Sequence, residues 1–436
     1  MLRRLRAPRL LLAALLLAAL ASGAPGRSDE RRGMSEEAIL TTADTRIEQY
    51  RKSDATLRVV DAKGQPVPDA SLHIEQTRHA FLFGCNAFPV LRSDDPNMEA
   101  LYEREFADLF NYATLGFYWG AYEPEPGRTI EKHLRRQAQW CRDHGITVKG
   151  HPLVWHEVYP AWGPSGVEET REKLRARVGG IVSKFAGLVD TWDVVNEATA
   201  SADVDNGVGH WAKEKGAAAM VTEALSWARA ANPKATLIYN DYNLGEDLER
   251  LDAELVKADA VDVFGIQSHM HREEWPIAKI WEACETYSRF GRPLHFTEVT
   301  VLSGEHGWER PQPWPSTPEG EAAQARYVER LYTVLFSHPA VHAITWWDFN
   351  DGEWQGAPAG LVRADLTPKP AYQRLMALVK GKWWTRLDAQ ADSDGVAQFR
   401  GFLGHYRVVA TVGDRSVTKE MDLVSGGENV LTLIVE

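Results

Sequence analysis

The stretch Trp192-Asp193-Val194-Val195-Asn196-Glu197 has the pattern of a buried strand that ends on two polar side chains. Its apolar, β-branched residues are typical of a strand covered on both faces in a parallel sheet. A carboxylate at such a place is costly to bury unless it is paired or used. Residues 293–298 repeat the pattern and run through apolar residues into Glu298. One such glutamate alone is equally consistent with a structural role; two predict a site at one face of a sheet.

Strand-like runs alternate with runs of helical period from His79 onwards, which is the pattern of a parallel sheet with crossover helices. We expect strands near residues 81–85, 112–117, 147–153, 189–195, 236–240, 261–266, 294–297 and 343–346. Eight strand–helix units over roughly 300 residues fit an α/β fold of the (β/α)8 TIM-barrel type. A doubly wound open sheet is the alternative. It is disfavoured because no G-x-G-x-x-G opens the first helix and because polar residues recur at many strand ends.

The regions that flank the barrel predict four further segments. Residues 1–24 resemble a signal peptide, since four arginines precede an apolar run and a small-residue cleavage site, so we expect a secreted or periplasmic protein. An uncleaved anchor is the alternative. Residues 25–53 predict a helical segment, whereas residues 54–78 and 384–436 alternate like strands. Neither β segment can bury a core alone, so we expect them to join as a small accessory β-sandwich beside a catalytic barrel of residues 79–383.

Composition excludes several classes of protein. Hydrophobic residues make up 44% of the 436 residues, which excludes a disordered chain, and the formal net charge of −12 disfavours nucleic-acid and anionic-membrane partners. The three cysteines, Cys85, Cys141 and Cys284, form neither a disulfide framework nor a zinc motif, so we expect buried free thiols. The 16 tryptophans suit stacking on sugar rings. We expect no metal, no cofactor and a monomer.

The residues at the carboxyl ends of the expected strands point to sugar chemistry, because barrel enzymes carry their chemistry at that face. Cleavage of a glycosidic bond needs one carboxyl group to protonate the leaving oxygen and a second to attack or stabilise the sugar cation. Amides and imidazoles bind hydroxyl groups, and indoles stack on the rings. The strand ends and the loop after the last one supply all of these: His151, Trp155, Asn196, Glu197, Tyr242, Gln267, His269, Glu298, Trp346 and Trp354.

Five ordered motifs resemble those of glycoside hydrolase family 10, the endo-β-1,4-xylanases. They are Gly150-His151-Pro152-Leu153-Val154-Trp155-His156, Trp192–Glu197, Asn240-Asp241-Tyr242-Asn243, Gln267-Ser268-His269 and Thr297-Glu298. The resemblance covers residues 79–380. It implies retaining, double-displacement cleavage of β-1,4-linked xylan or a xylan-like polysaccharide on a (β/α)8 barrel.

The same resemblance implies a role for each matched residue. Glu197 resembles the general acid/base and Glu298 the nucleophile, with Asn196 on the neighbouring sugar hydroxyl, His269 holding Glu298 and Gln267 beside the pair. The donor-side sugar pocket is implied at His151, Trp155, Trp346 and Trp354, and the leaving-group side at Tyr242.

The chain departs from that family after the second strand. Family members carry Glu-Asn and then Lys there, which grip the second donor-side sugar, whereas this chain has Gly116-Phe117-Tyr118-Trp119-Gly120. These aromatic residues either stack on a sugar or belong to the core, so the preferred polymer and endo or exo action stay open.

Two other functions are compatible with the same barrel. One is a metal-dependent hydrolase, for which His151, His156, His269, His271 and Asp241 would supply ligands. The other is a non-catalytic carbohydrate-binding barrel.

Overall fold

Eight parallel strands close into a barrel in the computed structural model, which describes residues 34–308 and 310–436. The predicted signal peptide lies outside the described residues. The strands of the described chain are β1 (Lys52–Asp61), β2 (Ser71–His79), β3 (Leu82–Asn86), β4 (Tyr112–Gly116), β5 (Thr147–His151), β6 (Thr191–Asn196), β7 (Thr236–Asp241), β8 (Val263–Met270), β9 (Leu294–Val301), β10 (Val341–Trp346), β11 (Arg386–Gln390), β12 (Val396–Phe402), β13 (Gly404–Val412), β14 (Arg415–Leu423) and β15 (Val430–Val435). The barrel order β10-β3-β4-β5-β6-β7-β8-β9 confirms the predicted TIM barrel.

Helices follow the barrel strands and cover the outside of the sheet. The α-helices of the described chain are α1 (Glu36–Thr41), α2 (Ala43–Tyr50), α3 (Pro96–Leu109), α4 (Trp119–Tyr122), α5 (Glu131–Asp143), α6 (Val167–Phe185), α7 (Ala198–Ser201), α8 (Gly207–Lys215), α9 (Ala217–Ala231), α10 (Glu246–Lys257), α11 (Ile277–Ser288), α12 (Pro318–Ser337) and α13 (Pro370–Ala377). Local sequence sets their starts: the Asp95 side chain caps α3 and the Thr317 side chain caps α12, each followed by a proline in the first turn. Within residues 34–308 and 310–436, no helix is both long and apolar enough to cross a membrane.

The flanking segments form two sheets, so the predicted accessory β-sandwich is present. One sheet has the order β12-β1-β15 and the other β11-β2-β13-β14. Strand β1 pairs antiparallel with β12 and parallel with β15, so both of its edges are held by the C-terminal segment. Leu57 and Ile74 from the first segment share a buried core with Val408 and Leu433 from the second. The boundaries assigned to the domains stay predictions.

The N-terminal segment differs in detail from the expected single helix. The helix is interrupted at Thr42, which ends α1 and begins α2 without capping α2 through its side chain. Strand β1 then begins at Lys52, before the end of the predicted helical segment. Strand β11 lies within the segment of residues 384–436 predicted to form strands, and its residues alternate between exposed and partly buried positions.

A buried ion pair lies inside the barrel beneath its carboxyl-terminal mouth. Lys149 Nζ on β5 lies 2.6 Å from Asp193 Oδ2 on β6, and both side chains are fully buried. Burial alone would raise the pKa of Asp193. Lys149 and His151 together outweigh that effect and lower the pKa, so the carboxyl group is held ionised. Lys149 lies two residues before the end of β5 and Asp193 three residues before the end of β6, so the pair lies just below the strand ends that carry the predicted site.

Candidate active site

A cavity of about 1080 Å³ opens at the carboxyl ends of the barrel strands. It brings together nine of the ten predicted site residues, which are His151, Trp155, Asn196, Glu197, Tyr242, Gln267, His269, Glu298 and Trp354. These residues come from β5 to β9 and from loops that follow the strands. The barrel closure therefore assembles at one mouth what the sequence spreads over two hundred residues.

Glu197 is held in an unusual backbone conformation at the end of β6. Its φ of 56° lies in the left-handed region, which non-glycine residues seldom adopt and which clusters at functional sites. The conformation directs the carboxyl group into the cavity, where Oε2 accepts a hydrogen bond from Trp155 Nε1 at 3.0 Å. Its other oxygen, Oε1, accepts from Gln267 Nε2 at 2.9 Å.

The environment of Glu197 favours the protonated carboxyl group. Burial raises its pKa most, the nearby charge of Glu298 adds to this, and the hydrogen bonds from Gln267 and Trp155 only partly offset the rise, which brings the pKa to about 8. A carboxyl group with such a pKa carries its proton at neutral pH and is suited to general acid catalysis.

Glu298 on β9 lies in the opposite electrostatic environment. Its side chain is 4% exposed, and burial alone would raise its pKa. His151 and His269 outweigh that effect and lower the pKa, so the carboxylate stays ionised. His269 Nε2 lies 3.0 Å from Oε2, and His151 Nε2 lies 3.8 Å from Oε1.

Three amide side chains link the two glutamates. Asn240 Nδ2 donates to Glu298 Oε1 at 2.7 Å and to Asn196 Oδ1 at 2.8 Å. Asn196 Nδ2 in turn donates to Glu197 Oε1 at 3.1 Å, and Gln267 Nε2 contacts the same oxygen. The network fixes the position of both carboxyl groups before any substrate binds, which is the arrangement expected of a preorganised site. Asn240 was quoted in a motif but was not assigned to the site from sequence.

The buried Asp193 orients His151 towards Glu298. His151 Nδ1 lies 2.7 Å from Asp193 Oδ2, which directs the opposite ring nitrogen towards the carboxylate. The chain Lys149–Asp193–His151–Glu298 therefore extends from the barrel interior to the cavity surface.

Aromatic rings form much of the cavity wall. Trp354 packs on His269 with ring centroids 4.2 Å apart, and Tyr118 lies against Trp155 at 5.5 Å. Tyr242, on the loop after β7, is 49% exposed and lines the cavity on the side of Glu197. Exposed rings at a cavity mouth are suited to stacking on sugar faces.

The structure contradicts the prediction for Trp346. That ring is fully buried and its Nε1 donates to the Ala359 carbonyl oxygen at 3.0 Å, whereas the next residue, Trp347, lines the cavity. Adjacent strand residues point to opposite faces, and the pairing of β10 with β9 shifts register between Ile344 and Trp346. The strand-end position and the family resemblance therefore indicated the wrong member of the tryptophan pair.

The aromatic residues after β4 divide between core and cavity. Phe117 and Trp119 are buried in the hydrophobic core, 0% and 5% exposed. Tyr118 alone of the three lines the cavity. The segment lacks the Glu-Asn and Lys residues of the family pattern, and Tyr118 is its residue at the cavity wall.

Sequence reasoning missed a group of residues on the strands and loops nearest to β10. They are Asn86, Phe88, Trp347, Asp348 and Glu353. A usable signal was present for Asn86, because it ends strand β3 on an amide as Asn196 ends β6. Asp348 and Glu353 lie in or beside an irregular loop, where sequence periodicity does not predict which way a side chain points.

The candidate metal ligands have other neighbours. His151 and His269 contact Glu298, and Asp241 accepts from the Thr199 hydroxyl at 2.9 Å. In the described part of the chain, no three His, Cys, Asp or Glu side chains are placed to hold a metal ion. The cysteines Cys85, Cys141 and Cys284 are buried and free.

A parallel barrel whose mouth holds one protonated and one ionised glutamate, surrounded by amides and indoles, defines the site of a glycoside hydrolase. The sequence pattern of glycosyl hydrolase family 10 matches residues 79–378, and the chain belongs to this family.

Individual relatives are similar to this chain over most of its length. Endo-1,4-beta-xylanase B of Thermotoga neapolitana is 28% identical over 362 residues, which cover 77% of this chain and 95% of the relative. The anti-sigma-I factor RsgI6 of Acetivibrio thermocellus is also 28% identical, over 85% of this chain but only 46% of its own length. Among solved structures, xylanase 10B of Thermotoga petrophila in complex with xylobiose has a TM-score of 0.59 at 25% identity, covering 70% of this chain and 95% of that one. The chain thus spans nearly all of one relative and about half of another.

Proposed function

We propose that this protein is a retaining glycoside hydrolase that cleaves β-1,4-linked xylan or a closely related polysaccharide. One observation carries the proposal: two glutamates in one cavity, linked through amides, have pKa values shifted in opposite directions. The Thermotoga relatives named as xylanases support the choice of substrate. A retaining mechanism predicts that the two carboxyl groups lie about 5–5.5 Å apart.

Each glutamate has a distinct task in the proposed reaction. Ionised Glu298 attacks the anomeric carbon and forms a covalent glycosyl ester, while the Glu197 proton passes to the leaving oxygen as the glycosidic bond breaks. Glu197, now ionised, then takes a proton from water, which attacks the anomeric carbon and releases Glu298. We assign Asn196 to the hydroxyl next to that carbon. His269 holds Glu298 through the hydrogen bond between its Nε2 and Glu298 Oε2.

The test compares two variants on xylan and on an aryl xylobioside. We expect Glu298→Gln to lose glycosylation with both substrates. Glu197→Ala should still release a good leaving group such as a nitrophenol, and azide should rescue its turnover, because only the proton donor is missing. Proton NMR of the wild-type reaction at early times should show a β-anomeric product. An α-anomeric product, or rescue of Glu298→Gln alone, would contradict the assignment.

A non-catalytic carbohydrate-binding barrel is the second candidate, because one relative that covers 85% of this chain is named as an anti-sigma factor. Reducing-sugar release from xylan separates the two functions, since a binding protein releases none. We further propose a secreted or periplasmic monomer, whose export rests on residues 1–24. Protein recovered outside the cytoplasm and truncated near residue 24, with the mass of one chain in solution, would support both statements.

A further inference from the structure

The wall of the cavity around the end of β10 lies on the donor side of the proposed reaction. In the closed order of eight strands, β10 lies opposite β6, which carries Glu197, and next to β9, which carries Glu298. A retaining enzyme places its acid on the leaving-group side and its nucleophile beneath the donor sugar. The residues that follow β10 therefore face the donor end of a bound chain.

Asp348 is an incompletely bonded carboxyl group in this wall. Its side chain is 0% exposed, and Oδ1 accepts one hydrogen bond, from Trp354 N at 3.2 Å. Oδ2 has no hydrogen-bond partner among the described residues, although Asp348 lines the cavity. A buried polar atom without a partner is costly, so this atom indicates a ligand that completes its bonding.

Glu353 lies beside Asp348 and lines the same wall. Its Oε1 accepts from Asn350 N at 3.3 Å, and its side chain also bonds to Asn86 at the end of β3. Burial raises the pKa of Asp348, and the charge of Glu353 raises it further. Burial likewise raises the pKa of Glu353, to about 8. The two carboxyl groups therefore retain protons at neutral pH.

The other ionisable groups around the pair do not neutralise it. Lys369 bonds Asp351 Oδ1 and Ser303 Oγ, and its charge lowers the pKa of Asp348 less than Asp351 raises it. Cys85 on β3 and Tyr102 on α3 face Glu353 from the core, and burial keeps both of them uncharged. The pair therefore presents two uncharged carboxyl groups to the cavity, with no cation in the described part of the chain paired to either.

Resting on the proposed function, we propose that Asp348 and Glu353 form a hydroxyl-binding carboxyl pair for a neutral donor-side sugar, and that they reject a sugar bearing its own carboxylate at this place. A protonated carboxyl group both donates and accepts a hydrogen bond, which matches a sugar hydroxyl. An anionic substituent would be buried beside two carboxyl groups that offer it no positive charge, which makes its desolvation costly. The pair takes over the polar contacts that residues 116–120 lack.

The test uses the ratio of kcat/KM on a nitrophenyl β-xylobioside to that on the β-xyloside, because this ratio cancels effects on the catalytic glutamates. We expect Asp348→Ala to lower the ratio by about fivefold to a hundredfold, the loss of one to two buried hydrogen bonds. Asp348→Asn keeps an acceptor for the Trp354 N–H and so tests a variant whose fold is preserved. Its kcat/KM ratio should fall less than that of Asp348→Ala. Asp252→Asn is the matched control: Asp252 is a buried acid with a pKa of about 8 that lies outside the cavity, so the ratio should not change.

The pH dependence of the kcat/KM ratio distinguishes hydroxyl binding from a purely structural role, which would leave that dependence unchanged. In the wild type the ratio should fall as the pH rises through about 8, because Glu353 loses its proton, and in Glu353→Gln it should stay level. A glucuronosyl-substituted xylo-oligosaccharide should be cleaved more slowly than its neutral methyl ester, and Asp348→Ala should narrow that difference.

The outcomes separate this inference from the proposed function. No cleavage of either aryl glycoside by the wild type would refute the proposed function itself. A wild type that prefers the xylobioside, with a ratio unaltered in the Asp348 and Glu353 variants, would overturn only the carboxyl pair. If a chelator lowers this kcat/KM ratio and added calcium restores it, Asp348 and Glu353 bind a cation, and the inferred hydroxyl binding is wrong.

Discussion

At the scale of single residues, the chemistry depends on an asymmetry between two glutamates that look equivalent in the sequence. Glu197 receives its hydrogen bonds from neutral amide and indole groups, whereas Glu298 lies against two imidazoles. Burial penalises the charge on both groups, but only Glu298 has neighbours able to compensate. The division of labour between acid and nucleophile follows from these neighbours.

The pKa values predict the pH dependence of turnover. Activity on a substrate with a poor leaving group should fall as the pH rises through about 8, because Glu197 then lacks its proton. At low pH the activity should persist to below 4.5, the ordinary value, because the pKa of Glu298 is lowered. The kcat/KM profile of xylan oligosaccharides measures both limbs. An alkaline limb that survives unchanged in Glu197→Ala with an activated aryl substrate would show that another group titrates there.

Tyr118 offers a second prediction at this scale, because it is the aromatic residue of its segment that reaches the cavity. Loss of a stacked ring costs about 0.5–1.5 kcal/mol, so Tyr118→Ala should lower kcat/KM on xylotetraose by roughly twofold to twelvefold. Tyr118→Phe keeps the ring and should stay near the wild type. Equal losses in both variants would assign the effect to the hydroxyl group and refute stacking.

At the scale of elements, buried arginines attach helices to the barrel. Arg177 on α6 donates to the carbonyl oxygens of Leu153 and Phe117, which fixes the loops after β5 and β4. Arg51, at the end of α2, donates to the carbonyl oxygens of Phe336 and Val341 beneath the barrel. These side chains satisfy backbone acceptors at element ends, where the regular hydrogen-bond pattern stops.

Removing the Arg51 contacts should cost stability and leave the chemistry intact. Hydrogen bonds from a charged donor contribute about 1.5–3 kcal/mol each, so Arg51→Ala should lower the free energy of unfolding by at least about 3 kcal/mol. Arg51→Lys keeps the charge but not the several N–H donors of the guanidinium group, so its free energy of unfolding should lie between those of the wild type and Arg51→Ala. Denaturant unfolding monitors the change, and the kcat of the folded fraction on xylan should match the wild type. A loss of kcat with unaltered stability would contradict this anchoring role.

At the scale of the whole molecule, the chain leaves the sandwich to build the barrel and returns to complete it. Strand β1 is paired on both sides by strands of the C-terminal tail, and β2 lies between β11 and β13. The two segments therefore fold only together, since neither has a core without the other.

This topology predicts the effect of shortening the chain. Deletion of residues 384–436 removes both neighbours of β1 and exposes its apolar face, so soluble yield and unfolding temperature should fall before turnover per folded molecule does. Leu57→Ala is the milder variant, with an expected cost of about 2–5 kcal/mol. Active-site titration with a mechanism-based inhibitor gives the folded fraction. A fall in turnover per titrated site would show that the sandwich contributes to catalysis.

The sequence by itself determined the barrel and the two glutamates. Strand and helix periods alternate regularly because each crossover must bury one face, and a glutamate that ends a buried strand is conspicuous in one dimension. Nine of the ten predicted site residues line the cavity. Seven of them lie on a barrel strand or directly after one, where the sequence pattern is informative, whereas Trp155 and Trp354 lie in loops.

Only the tertiary structure decided which groups face the cavity where the backbone is irregular. Trp347 and not Trp346 lines the cavity beside a register shift in β10, and the loop beyond it brings Asp348 and Glu353 to the same wall. Barrel closure also joined Asn86 to the carbonyl oxygen of Trp347, 261 residues away. The sequence pattern likewise did not show that the pKa values of the two glutamates shift in opposite directions. Burial and neighbouring charge depend on distances in three dimensions, which no local pattern encodes.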